Sequence, residues 1–357
     1  MPTHTSADPL LVLTGSYTPD TGGDGAGLVT VRFDPVSGEL TPESGLTPLP
    51  VSGASFLAAH PSLDVVYSTN ETDPGTVTAV TRQSDGALVP LGPPVPSGGT
   101  NPCHLTVHPD GRWLLTADYG SDTAPGTVAV HRLDEDGRVS EPTDVVVHEG
   151  SGPVTGRQEG SHAHQVLLDP AGSFVLATDL GADAVFAYRL DTRTGTLTQT
   201  AVSRLRAGSG PRHLAFHPGG ELVFSADELS STATCHRYDP GTGILTAGSA
   251  VPATTARDVD NYPGGIVASP CGRHVWVTNR GADTVAAFRV TDTGLTPIGE
   301  VPSGGGWPRG LTLAAGHLLV ANQHGGTLAA LRVREDGTLE QPAPAASLPS
   351  VVCTLPL

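Results

Sequence analysis

The sequence predicts an all-β chain: a seven-bladed β-propeller with four antiparallel strands per blade, its ring closed by pairing of the N- and C-terminal strands. Three observations predict it. A unit of four short strands recurs about every fifty residues, the period of propeller blades. The strands are rich in Val, Leu, Thr and Ala and the turns are of Asp-Gly and Pro-Gly type, with no segment of useful length at helical period. The two chain ends supply complementary pieces of one further unit.

The elements follow in order. "LVLTGSYT…GLVTVRFDPVSGELTPE" reads as strands two to four of a blade. A weak full copy begins at Phe56 and strong ones begin at His104, His164, His213 and Gly265. Another weak copy begins at Gly310. "SVVCTLPL", Ser350 to Leu357, reads as the missing first strand. The second strand of each full copy closes on Asn70, Asp118, Asp179, Asp227, Asn279 or Asn322. A ring left open would expose unpaired strand edges, which folded proteins avoid.

Composition fits this layout. Gly (45) and Pro (32) make up about a fifth of the 357 residues but fall between β-branched runs, as turn punctuation. Residues 1–9 are expected to form a disordered tail and residues 10–357 a single domain. No basic segment precedes a long apolar stretch and no run reaches 18 apolar residues, so a cytoplasmic location is expected. A net charge of −17 argues against nucleic acid or an anionic membrane as partner, and a monomer or weak homodimer is expected. Cys103, Cys235, Cys271 and Cys353 lack metal spacing and read as reduced, mostly buried thiols.

Blade geometry selects the candidate site. The inner strand runs from one face of the ring to the other and the second strand returns, so the start of strand one and the end of strand two share a mouth of the channel. Entering strand one are Cys103-His104, His162-Ala163-His164, Arg212-His213, Gly264-Gly265 and Arg309-Gly310. Leaving strand two are Glu71, Tyr119, Leu180, Glu228, Arg280 and Gln323-His324. Alternate strand residues share a face, so His162 and His164 are expected to point the same way. Arg212, Arg280 and Arg309 could form an anion site, or could each pair with an acid such as Glu71 or Glu228. Arg157 joins them if the long insertion after His148 folds over this mouth. His104, His162, His164 and His213 could exchange protons near neutrality or fill a narrow channel. His60, His108 and His217 lie at the opposite turns and read as turn supports. The HxH pair alone is a weak metal signal beside so many arginines; no metal and no organic cofactor are expected.

The segments "NPCHLTVHPDGRWLLTADYG", "GSHAHQVLLDPAGSFVLATDLGAD", "GSGPRHLAFHPGGELVFSADELSST", "NRGADTVAAF" and "GGWPRGLTL" resemble, in combination and order, the seven-bladed lactonase family. That family holds bacterial 6-phosphogluconolactonases and, more distantly, the fungal enzyme forming a lactone from 3-carboxymuconate. The resemblance spans about Leu11 to Leu357. It implies a catalytic group of Arg212, Glu228, Arg280 and a histidine of the HAH segment, His162 or His164, with His164 preferred because it begins the strand proper. It implies hydrolysis of a small anionic lactone, 6-phospho-glucono-1,5-lactone of the pentose phosphate pathway. In that scheme Arg212 and Arg280 bind the anionic group or polarise the ester, and His164, held by Glu228, moves the proton. Arg309 and Arg157 hold phosphate, with His104, His162, His213 and Gln323 also contacting substrate. The alternatives are a lactonase or cycloisomerase acting on another carboxylated lactone, and a non-catalytic binding scaffold.

Overall fold

The computed structural model describes residues 8–292 and 294–357. The tail expected over residues 1–9 therefore lies, for residues 1–7, outside the described residues. Seven antiparallel sheets form the ring, each a path of four strands, with one additional short strand in each of the second and fifth blades.

The first blade is assembled from both ends of the chain. Its order from rim to axis is Leu40–Pro42, Val29–Phe33, Leu10–Ser16 and Val351–Pro356. Leu13 pairs with Leu355 and Gly15 with Cys353. A Cβ on Gly15 would lie 2.3 Å from the carbonyl oxygen of Ala54 in the next blade, so only glycine allows this close approach.

The other inner strands are Ala54–Ala59, Pro102–Val107, Ala163–Leu168, Pro211–Phe216, Tyr262–Ala268 and Pro308–Ala314. The second strands are largely buried, and some, such as Trp113–Asp118 and Val175–Asp179, throughout, because each blade is covered on both sides by its neighbours. The hydrophobic core accordingly lies between blades. Leu115, Val166, Val175 and Phe186 fill the third-to-fourth contact, and Phe224, Ile266, Val277 and Phe288 the fifth-to-sixth. Indole N–H groups tie blades together: Trp113 donates to the carbonyl of Thr192 at 3.2 Å and Trp276 to that of Gly337 at 2.9 Å.

The residue closing each second strand is buried and hydrogen-bonded to its own blade or to the loop entering it. Asp227 accepts from the Thr234 hydroxyl at 2.5 Å, and Asn279 donates to the Ala253 carbonyl at 2.7 Å. These bonds anchor the strand ends from which the next residues project.

One feature departs from a regular ladder. Every inner strand carries a β-bulge near its start, with Ser55, Cys103, His164, Arg212, Gly264, Arg309 and Val352 as the extra residues. A bulge re-aims its side chain. The seven bulges thus turn one residue per blade at the same level of the channel.

Candidate active site

Four arginines meet two carboxylates at one mouth. Glu228, immediately after the second strand of the fifth blade, is the hub. Its Oε2 is 2.5 Å from Arg280 Nη2 and 3.4 Å from Arg212 Nε, and its Oε1 is 2.5 Å from Arg157 Nη2. Arg280 ends the second strand of the sixth blade and is fixed further by the carbonyls of Tyr262 (3.0 Å) and Pro263 (3.1 Å). Arg212 is the bulge residue of the fifth blade, and its Nη1 donates to the Gly264 carbonyl at 3.0 Å. The Arg212–Glu228 contact is an ion pair without hydrogen-bond alignment, so the buried Arg212 Nε has no acceptor. The insertion after His148 does fold over this mouth. Gln158 pins it to the Leu180 carbonyl at 2.7 Å and to Asp183 at 2.8 Å, which delivers Arg157 to Glu228.

Arg309 stands apart from this hub. It pairs with Glu71 at 3.3 Å and lies 5.4 Å from the ring centre of Tyr17. Four guanidinium groups against two carboxylates leave two positive charges in excess, in a chain of net −17. The excess belongs to the Glu228 group, since Glu71 offsets Arg309.

Burial shapes the titrations. It acts to raise the Glu228 pKa, but the charges of Arg280, Arg212 and Arg157 outweigh it and hold the carboxyl below its ordinary range. Burial lowers Arg212 to about 9, helped by repulsion from Arg280 and Arg309. It also drives His104 down to about 3 and His164 and His213 well below 6.5, with Arg212 adding to the shift in each. All three imidazoles are neutral at pH 7. They cluster in the channel, His213 being 5.5 Å from His104 and 5.2 Å from His164 between ring centres.

A cavity of about 200 Å³ opens beside them. Phe56, Cys103, Gln165, Arg212, His213 and Arg309 give it its polar and aromatic lining. Small residues (Ser55, Gly265, Gly310) and apolar ones (Ile266, Leu311, Val352) complete the lining. The first full repeat has neither Arg nor His entering strand one, and its sector of the wall is Ser55 and Phe56.

The sequence-derived candidates are not arranged quite as expected. The alternation argument for His162 and His164 fails, because the strand begins at Ala163 and His164 is its bulge residue. Both rings nevertheless meet Tyr119: His162 stacks on it at 4.3 Å, and His164 approaches edge-on at 5.8 Å. Among the described residues no hydrogen bond joins Glu228 to His164, so the expected support of the imidazole by that carboxylate is absent. The arginines occupy Glu228, while His164 Nδ1 faces Cys103 Sγ at 3.8 Å. His104 contacts Gln165 at 3.4 Å, and its Nδ1 is buried without a partner. Gln323 leaves the second strand of the seventh blade with its buried Oε1 unpartnered. His60, His108 and His217 support turns: their Nδ1 atoms accept from Leu63 (3.0 Å), Asp110 (3.3 Å) and Gly219 (2.9 Å) amides. Among the described residues no group of three or more His, Cys, Asp or Glu is placed to hold a metal ion.

Two residues escaped the sequence reading. Tyr17 occupies the same repeat position as Glu71, Tyr119 and Glu228, but its blade has its first strand at the far end of the chain. Gln165 follows the HAH segment directly. Its Oε1 accepts the Leu214 amide at 2.6 Å, joining the fourth and fifth blades beneath the histidines.

Comparison with known proteins agrees with the seven-bladed fold. Residues 11–356 match the family described as "Lactonase, 7-bladed beta-propeller". A 6-phosphogluconolactonase of Bacillus subtilis is 31% identical over 307 residues, covering 84% of this chain and 86% of the relative. One from Formosa agariphila is 27% identical over 331 residues, covering 89% and 91%. The solved structure of the periplasmic gluconolactonase of Pseudomonas aeruginosa superposes with a TM-score of 0.90 at 26% identity, over 98% of this chain and 99% of that one. The ring of bulged blades and its arginine-rich mouth therefore belong to a member of the seven-bladed β-propeller lactonase family.

Proposed function

We propose that the protein hydrolyses an anionic sugar lactone, with 6-phospho-glucono-1,5-lactone, opened to 6-phosphogluconate, as the best-fitting substrate. The observation that carries this reading is the pair of excess positive charges around Glu228. A phosphate monoester bears about −1.5 to −2 charges at neutral pH, and guanidinium groups bind it in two-pronged fashion. Arg157 and Arg280 take the phosphate. Arg309, already matched by Glu71, contributes less to it than its sequence position suggests.

Arg212 spans the two parts of the site. It approaches Glu228 through Nε and also lines the cavity, so it is the donor for the lactone carbonyl as negative charge develops on that oxygen. Water adds to C1, the bond from C1 to the ring oxygen breaks, and the ring oxygen leaves with a proton. His164 is neutral and takes the proton from water, then returns it to the ring oxygen. Burial first, and then the Arg212 charge, suppress its basicity in the free protein. A bound dianion offsets that positive field and raises the imidazole pKa toward the useful range.

The test compares freshly prepared 6-phosphogluconolactone with gluconolactone, with the spontaneous opening subtracted. The expected result is a preference of about tenfold or more in kcat/KM for the phosphorylated lactone, shrinking as salt screens the site. Equal values would instead assign the protein to neutral sugar lactones, the reading favoured by its likeness to the Pseudomonas gluconolactonase.

A further inference from the structure

Five of the chain's entries into an inner strand pass through a residue of left-handed backbone conformation. Four of them use small residues: Gly53, Asn101, Gly210 and Ser350, with φ of 51°, 53°, 59° and 51°. The fifth uses Trp307, at φ 60°. A bulky side chain adopts this conformation only at a cost, and such strain collects where a site needs it. Here it is enforced by Asp283, whose Oδ1 accepts the Trp307 amide at 2.7 Å. The protein's other two tryptophans, Trp113 and Trp276, are buried between blades, whereas Trp307 is only part-buried.

The indole stands beside the hub. Its ring centre is 5.7 Å from the Arg280 guanidinium and 6.0 Å from the Tyr262 ring. The exposed imidazole of His324 lies parallel to it at 4.8 Å, with 17° between planes. Gln323, whose backbone N–H donates to the Trp307 carbonyl at 3.0 Å, holds a buried, unpartnered acceptor oxygen, the complement of a hydroxyl donor. A flat apolar surface next to an isolated hydroxyl acceptor and a cation is what a sugar ring with an anionic substituent requires: C–H face on the indole, hydroxyl on the amide, charge on the arginine.

We infer that Trp307 is a specificity-determining residue that receives the ring or polyol chain of the sugar lactone, replacing His324 on the indole face. The inference rests on the sugar-lactone reading above and adds to it the group that recognises the carbohydrate body rather than its charge.

Trp307→Gly provides the test, because glycine suits the backbone conformation and removes only the indole. Expected are a rise of about tenfold in KM for both 6-phosphogluconolactone and gluconolactone, a kcat within about twofold, and an undiminished Tm. Trp307→Phe should recover part of the loss, and His324→Ala, which uncovers the indole, should lower KM. A rise in KM confined to the phosphorylated lactone would overturn the inference, since Trp307 would then act only through Arg280. An unchanged KM with a lowered Tm would make the residue structural. A tenfold rise in KM for His324→Ala would overturn the exchange of stacking partners. Wild-type protein inactive on both lactones would remove the sugar-lactone reading and this inference with it.

Discussion

Arg280 Nη2 lies 2.5 Å from Glu228 Oε2, Arg280 ending the second strand of the sixth blade and Glu228 following that of the fifth. Both side chains are buried, at 6% exposure each. Removing one charge leaves the other uncompensated, which costs about 3–5 kcal/mol in buried pairs. Glu228→Gln keeps the shape but leaves three arginines facing one another. It should lower Tm by several degrees and kcat/KM by about 10²–10³-fold. Thermal unfolding and the lactone assay check both, and full activity would exclude Glu228 from the working site.

Arg157 behaves differently because it comes from a loop and its side chain is 36% exposed. Half-exposed ion pairs contribute about 1 kcal/mol or less to stability. Arg157→Ala should therefore raise KM for the phosphorylated lactone about tenfold while moving Tm by no more than about 2 °C. A collapse in Tm would show that the insertion is held in place through this arginine.

His164 and His162 are separated by their positions in the bulge. His164→Ala should reduce kcat by about 10²–10⁴-fold, the usual worth of a proton-transferring side chain. His162, stacked on Tyr119 with Nδ1 3.0 Å from its carbonyl, should lose less than about tenfold when changed to Ala. The reverse ranking would transfer the proton-handling role to His162.

Asp118 offers a prediction about stability alone. Burial raises its pKa to about 7, against the opposing hydrogen bonds of Ser97, Thr116 and Thr127. Between the ordinary carboxyl value of 3.8 and about 7 the folded state holds a proton that the unfolded state has released. Stability from this group is therefore full below that window and is lost as pH rises through it. Asn70, Asn279 and Asn322 fill the same repeat position without this charge, and hydroxyls can accept from an amide as readily as donate to a carboxylate. Asp118→Asn should raise Tm by about 2–4 °C at pH 8 and leave it nearly unchanged at pH 4. An equal shift at both pH values would show that charge is not the cause.

The repeat of strands, turns and strand-closing Asn or Asp residues, together with the split first blade, was legible in the sequence because each depends on neighbours along the chain. Alternation, turn chemistry and period are local properties. The membership of the mouth was legible in part for the same reason: Glu228, Arg280 and Gln323 recur at one repeat position.

What only the tertiary structure decided is which of those residues face each other. Arg309 belongs with Glu71 across the ring closure, while Arg157 reaches Glu228 from an insertion outside the repeat. His164 is aimed by a bulge, which inserts one residue and breaks the period of two on which any facing argument rests. Tyr17 and Trp307 became visible only once the ends were joined and the backbone angles were known. A sequence sets the local conformational period, but the distances between charges that no strand connects are set by the closing of the ring.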